Sequence, residues 1–263
     1  TESDPEVSEA VDFVEYYALS ACHLKELNGL IFRGRGVGLV LSPWNFPIAI
    51  PCGGIAASLA AGNTVLLKPA SLGVLTAWIL CQCFWRAGIG KHTLQFVPCS
   101  GEASGEILTS HPDVNYVILT GGTDTGLKIQ KGRPHGLLMA ETGGKNATIV
   151  TSMSDRDQAI KHVVYSAFGH SGQKCSATSL MILEKQVYED GDFLRQLVDA
   201  AGSFSVGSPW NFHHGTGPLI RPPSGNLKWA LTELDKGEHW ILKPEMKENN
   251  PHLWTPGIKM GVR

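Results

Sequence analysis

Between Gly36 and Ala140 the sequence repeats one pattern: a short apolar run, a cluster of small and polar residues, then a longer stretch with helical spacing. The apolar runs fall at 37–41, 64–67, 93–97, 114–119 and 137–140, and the helical stretches at about 48–61, 72–87, 102–109 and 123–131. Strands that are apolar throughout and alternate with helices imply a parallel sheet buried on both faces, because the helical crossovers cover it. Ligands of such sheets sit beyond the carboxyl ends of the strands. Here those ends are 42–46, 68–71, 98–101, 120–123 and 141–144, and they hold most of the notable polar residues.

A second α/β section starts after Gly144, with a strand expected at 147–151, a helix at 155–168, a Gly- and Ser-rich loop, a strand at 179–183 and a helix at 187–202. Beyond 203 the chain is rich in Pro, Gly, His and Trp, and its periodicity is weak. Ahead of the first strand, Val7, Ala10, Val11, Val14 and Ala18 recur at helical spacing, which predicts an amphipathic helix over 5–27. The expected organisation is one α/β domain over 1–143 and part of a second over 144–263.

A chain of 263 residues with 43% hydrophobic and 17% charged content can build a substantial core. Its net charge of −2 gives no basic excess for nucleic acid or an anionic membrane surface. The most apolar stretch, 72–85, is too short to span a bilayer and carries Gln82. The chain opens on polar and acidic residues without an initiator Met or signal-peptide features, and reads as a segment of a longer polypeptide. Its six scattered cysteines fit a reducing compartment and hence a cytoplasmic location. Cys81 and Cys83 would point to different faces of a helix, and no second Cys or His pair stands at ligand spacing, so no metal site is expected.

Cys175 lies in Gly169-His170-Ser171-Gly172-Gln173-Lys174-Cys175-Ser176-Ala177. Small neighbours let a substrate reach the sulfur, and an adjacent cation favours the thiolate, so this cysteine reads as a nucleophile ahead of a structural thiol. Gly121-Gly122-Thr123-Asp124-Thr125-Gly126 marks a strand-to-helix turn, suited to a phosphate or simply a common glycine turn. Glu141 reads as a general base for water or as a paired structural acid. Asn45, in a Pro-bounded loop, reads as a donor to an oxyanion or as a turn residue. Lys68 reads as a ribose or phosphate ligand, or as a solvated loop lysine.

These segments resemble, in order and spacing, the motifs of the aldehyde dehydrogenase superfamily: Ser42-Pro43-Trp44-Asn45-Phe46-Pro47, Lys68-Pro69-Ala70-Ser71, Thr120-Gly121-Gly122-Thr123, Glu141-Thr142-Gly143-Gly144-Lys145-Asn146 and Gly172-Gln173-Lys174-Cys175. The residues around Glu141 and Cys175 look most like the delta-1-pyrroline-5-carboxylate dehydrogenase branch, which includes the C-terminal half of bifunctional proline utilisation proteins. The resemblance implies a Rossmann-like cofactor-binding domain over 1–143 and an incomplete catalytic domain over 144–263. It implies that Cys175 is the nucleophile, Glu141 the base, and Asn45 with the Cys175 backbone N–H the oxyanion site. Lys68 would meet the adenosine ribose, Gly101 and Gly105 the adenine side, and Thr120, Gly121, Gly122 and Thr125 the pyrophosphate. Ser42, Pro43, Trp44, Ala70, Ser71, Thr142 and Gly143 would line the rest of the cofactor cleft. Lys174 and Ser176 would hold a substrate carboxylate, with Phe46 as an aromatic wall.

The implied cofactor is NAD. Many members carry an acid at the position of Ser71, and its absence leaves NADP open. The implied reaction converts glutamate semialdehyde to glutamate. A homo-oligomer and a fused or separate proline dehydrogenase are the implied partners. The family's Glu-x-Phe-Gly-Pro segment is expected beyond Arg263. The alternatives are another aldehyde dehydrogenase, such as one for succinate semialdehyde, a cysteine esterase without redox function, or an inactive segment that only binds cofactor.

Overall fold

In the computed structural model, strand β1 (Val37–Leu41) lies between β2 (Thr64–Lys68) and β4 (Val114–Gly121), with β3 (Leu94–Phe96) beside β2 and β5 (Leu137–Thr142) beside β4. Residues 3–101 and 104–262 are described. All pairings in this five-stranded sheet are parallel. The chain builds outward from β1 through β2 to β3, then returns to the other side of β1 with β4 and β5. That reversal places a switch point between β1 and β4, where a doubly wound sheet opens a crevice at its carboxyl edge. The sheet belongs to the first of two units, Thr1–Gly143, and the rest of the chain forms the second, Gly144–Arg263.

Helices α2 (Ala49–Ala60), α3 (Val74–Arg86), α4 (Ser104–Ser110) and α5 (Thr123–Gly132) connect the strands. The helix expected at 102–109 is α4, and Glu102 and Ala103 lie outside the described residues. Val40, Val65, Leu67 and Leu94 are buried in one core with Ile55 of α2 and Leu80 of α3. Tyr116 of β4 lies over Gly38 of β1, where a Cβ would meet the ring at 2.3 Å, so only glycine fits beneath it. The Asn63 carboxamide joins the start of the sheet, with Oδ1 accepting from Gly36 N–H (3.0 Å) and Nδ2 donating to the Ser58 carbonyl (3.1 Å).

Two expectations fail here. Strand β5, at the edge of the sheet, is largely exposed within this unit, so burial on both faces does not extend to it. An edge strand has a neighbour on one side only and is covered less. In α1 (Ser3–Lys25), Val7, Val11 and Val14 are exposed, and the buried residues are Glu6 and Ala10. The contact with α2 is made by Glu6, Ala10 and Phe13, whose ring rests on Gly53. Of the five apolar positions only Ala10 is buried, so the periodicity marked the helix but not its covered face.

In the second unit β6 (Asn146–Val150) pairs parallel with β7 (Thr178–Leu183), and α6 (Arg156–Phe168) crosses between them. Asp155 caps α6 by accepting from the Gln158 N–H at 3.0 Å. The helix expected over 187–202 is two, α7 (Lys185–Tyr188) and α8 (Gly191–Gly202). Asp190 breaks it, because its carboxylate accepts from the N–H groups of Asp192 and Phe193 and so starts a new helix. Ile160, Val164, Val187, Phe193 and Leu197 are buried in the core of this unit. The weakly patterned tail holds α9 (Gly225–Thr232) and an antiparallel pair, β8 (His239–Leu242) and β9 (Ile258–Met260). No described helix is long and apolar enough to cross a membrane.

Candidate active site

The candidate residues divide between the units. In the first, Ser42 follows β1, is buried, and donates its N–H to the Lys68 carbonyl at 3.3 Å, which ties the ends of β1 and β2 together. Pro43, Trp44, Asn45 and Phe46 are half-buried in the bend that leads to α2. Helix α2 has no side-chain cap of its own. Instead Glu6 Oε1 accepts from the N–H groups of Ile48 (2.7 Å) and Ala49 (3.2 Å), so the acid from α1 fixes the exit of the Asn45 bend. Sequence reasoning gave Glu6 no role, since nothing local marks a cap supplied from 42 residues away.

Lys68 Nζ donates to the Pro69 carbonyl at 3.0 Å. Its stem adjoins Gly105, where a Cβ would lie 3.8 Å from Lys68 Cε, so two residues expected at the ribose and adenine positions are neighbours. Ala70 closes a turn by accepting from Gly73 N–H at 2.9 Å, and Ser71 is exposed beside it. Gly101 is exposed, with open space where a side chain would stand.

At the other strand ends, Thr120 pairs with Glu141 and Gly121 with Thr142. These four were expected in loops beyond the strands; the β4–β5 ladder continues through them, favoured by two β-branched threonines. Glu141, Thr142 and Gly143 are exposed. Helix α5 opens on Gly122, which has extended backbone and no side-chain cap, and Thr125 N–H closes onto the Gly122 carbonyl at 3.1 Å. Gly126 packs 3.3 Å from Thr142 Cγ2, measured from an ideal Cβ, which lets α5 lie close to the strand end.

In the second unit α6 runs into a tight turn at Gly169–Gly172, where His170, Ser171 and Gly172 have φ of 55°, 56° and 69°. Left-handed backbone at the two non-glycine positions costs about 1–2 kcal/mol each. The turn is held by tertiary contacts: Ser171 N–H donates to Thr216 Oγ1 (2.7 Å), Ser171 Oγ to the Gly217 carbonyl (2.5 Å), and Ile220 N–H to Gln173 Oε1 (2.9 Å). Behind the nucleophile candidate, Asn146 Nδ2 donates to the carbonyls of Cys175 (2.6 Å) and Ala177 (3.0 Å). Cys175 and Ser176 are exposed. Lys174 is half-buried, with Nζ 5.8 Å from the centre of the Tyr165 ring. By contrast, burial pushes the Cys52 thiol up to about 11 and the Cys81 thiol up to about 12. Those two are core residues; Cys175 is exposed.

Residues 1–262 match the aldehyde dehydrogenase family. The chain is 37% identical over 255 residues to a 1-pyrroline-5-carboxylate dehydrogenase of Geobacillus sp. (strain WCH70), covering 90% of this chain and 49% of that protein. It spans about half the length of the curated relatives it matches. A proline utilization A structure from Corynebacterium freiburgense superposes with a TM-score of 0.95 at 44% identity, covering 100% of this chain and 27% of that one. A 1-pyrroline-5-carboxylate dehydrogenase from Thermus with bound NAD gives 0.84 at 34%, covering 97% and 52%. The parallel sheet, the ordered motifs and this match over nearly every residue lead to one assignment: the chain belongs to the aldehyde dehydrogenase family.

Proposed function

We propose that the protein serves the nicotinamide-dinucleotide-dependent oxidation of glutamate semialdehyde, the open form of 1-pyrroline-5-carboxylate, to glutamate. The observation that carries this reading is Cys175, an exposed thiol on a loop pinned through its own carbonyl, in a chain whose similar proteins bear the name 1-pyrroline-5-carboxylate dehydrogenase. The residues of the first unit fit a dinucleotide. The order of its sheet provides the crevice, α5 starts without a side-chain cap on its N–H groups, and Lys68 and Gly105 adjoin.

In this reading Lys68 bonds the adenosine ribose, and Gly101 and Gly105 give room on the adenine side. Thr120, Gly121, Gly122 and Thr125 face the pyrophosphate. Ser42, Pro43, Trp44, Ala70, Thr142 and Gly143 line the remaining cleft. NAD is the cofactor in this reading, and Ser71, which sets no carboxylate against a 2′-phosphate, does not exclude NADP. The Thermus relative with bound NAD supports the first choice. When bound, the cofactor supplies the hydride acceptor.

The protein's own steps follow. The Cys175 sulfur bonds to the aldehyde carbon, and the resulting oxyanion is held by the Asn45 amide and the Cys175 N–H. Loss of hydride from that carbon leaves a thioester on Cys175. Glu141 takes a proton from water as its oxygen attacks the acyl carbon; the C–S bond breaks and the thiolate returns. Lys174 and Ser176 hold the substrate carboxylate, and Phe46 packs beside its chain. The similarity to proline utilization A supports a proline dehydrogenase as fused or separate partner; a homo-oligomer is the working form in this proposal.

The test is Cys175→Ala in the full polypeptide. Aldehyde-dependent NADH production should fall by about three orders of magnitude or more. Turnover by that variant at the unmodified rate would refute the reading. Faster turnover of succinate semialdehyde than of glutamate semialdehyde would move the substrate, and ester hydrolysis without dinucleotide binding would mark a cysteine hydrolase.

A further inference from the structure

Asn146, the first residue of β6, directs its carboxamide at the loop that carries the thiol. A carboxamide nitrogen has two N–H donors. Here one nitrogen reaches two main-chain oxygens, that of Cys175 at 2.6 Å and that of Ala177 at 3.0 Å. The two oxygens flank Ser176, so this clamp fixes the peptide that leaves the nucleophile. The turn before it is held independently, by Thr216 on Ser171 and by Ile220 on Gln173. Asn146 alone therefore sets the orientation of the Cys175 carbonyl among the side-chain bonds described above.

A cysteine's own carbonyl oxygen lies close to its sulfur by covalent geometry. An unengaged carbonyl presents its partial negative charge to a developing thiolate, and a donated N–H offsets that charge. We propose that Asn146 is a positioning residue for Cys175, whose carboxamide engages the Cys175 carbonyl and thereby favours the reactive thiolate. The inference rests on the reading of Cys175 as the nucleophile, but its test needs no turnover.

The titratable groups on the surrounding elements are Lys145 ahead of β6, Arg156, Asp157, Lys161, His162 and Tyr165 on α6, His170 and Lys174 on the loop, and Arg221 after the 216–220 segment. All are shared by the variants below, so differences between variants report on position 146. The measurement is the pH profile of iodoacetamide alkylation at Cys175 in the full polypeptide, read on its own peptide by mass spectrometry. Exposed Cys83, in the first unit, serves as internal standard.

Asn146→Asp should move the midpoint for Cys175 up by about one unit and slow its alkylation at pH 7 about tenfold, with Cys83 unaffected. Asn146→Ala should slow it about threefold, and Asn146→Gln should stay within about twofold of the unmodified chain. An unchanged Cys175 midpoint in Asn146→Asp overturns the proposal. So does faster Cys175 alkylation in Asn146→Ala, the mark of a loop that Asn146 merely holds shut. Should the Asp variant not fold, an unchanged Cys175 midpoint in Asn146→Ala overturns the proposal, with Asn146→Gln as the conservative control. If Cys175 responds as expected while aldehyde oxidation is absent, the role of Asn146 stands and the dehydrogenase reading falls.

Discussion

Glu6 Oε1 lies 2.7 Å from the backbone nitrogen of Ile48 and 3.2 Å from that of Ala49, so the N-terminal helix caps the helix that follows the Asn45 bend. The carboxylate is buried and satisfies two N–H groups at the positive end of α2. Glu6→Ala should lower the stability of the first unit by about 1–2 kcal/mol. Glu6→Gln, which keeps an acceptor oxygen, should lose less than half as much. Urea unfolding followed by tryptophan fluorescence distinguishes them, and equal losses would mean that the carboxylate charge, not the acceptor oxygen, carries the cap.

Gly38 and Tyr116 form a second pair whose fit is steric. Gly38→Ala would place a methyl 2.3 Å from the Tyr116 ring, so the ring or the strand must shift. A loss of about 2 kcal/mol is expected in the native background. In a Tyr116→Leu background the same change should cost well under 1 kcal/mol, and that coupling is the quantity to measure. Additive losses would remove the steric explanation.

The buried thiols make alkaline stability predictable in sign. Burial holds Cys52 and Cys81 protonated, at about 11 and about 12 against an ordinary value of 9.0. A folded-state value above the unfolded one means the unfolded state releases its protons first. Their contribution to stability is therefore complete below pH 9 and is lost as pH rises through the folded values. The thermal midpoint should fall between pH 9 and 11, and Cys52→Ala/Cys81→Ala should flatten that fall while lowering the midpoint at pH 7. At pH 8 a disulfide reagent should label Cys22, Cys83 and Cys175 well before Cys52 and Cys81.

In the tail, Lys259 Nζ lies 4.8 Å from the ring centres of both Trp229 and Trp240, 3.4 Å from a Glu238 carboxylate oxygen, and donates to the Glu233 carbonyl at 2.7 Å. This one ammonium fastens α9 to the β8–β9 pair. The Asp235 backbone N–H, followed by Lys259, holds the Glu238 carboxyl below the usual carboxylate range. A lowered value means that the contribution is present above the ordinary carboxylate pKa and is lost as pH falls through the folded one. Protection of the 238–242 amides relative to their intrinsic exchange should fall below about pH 4.5, and Lys259→Met should lower it in the same way at neutral pH. Exchange indifferent to both changes would exclude the fastening role.

The alternation of apolar runs with helices was enough to read every strand of the five-stranded sheet from the sequence, because burial leaves hydrophobic runs at the central strands and β5, though largely exposed, keeps an apolar run at 137–140. The ordered motifs around Asn45, Glu141 and Cys175 likewise identified the family and the residues on which the proposed chemistry rests. Three kinds of feature were beyond its reach. The buried face of α1 depends on Glu6 meeting backbone N–H groups of α2, which no apolar periodicity encodes. The break at Asp190 depends on a carboxylate choosing between continuing one helix and starting another. The pinning of the Cys175 loop depends on Asn146, Thr216 and Ile220, residues that meet it only after strands and turns have formed. Sequence determined where most chain elements run and which side chains are candidates for the chemistry, because local propensity, hydrophobic burial and motif order are written along the chain. Tertiary structure decided how the reactive loop is held, because hydrogen bonds between distant residues exist only once folding has brought donor and acceptor within about 3 Å.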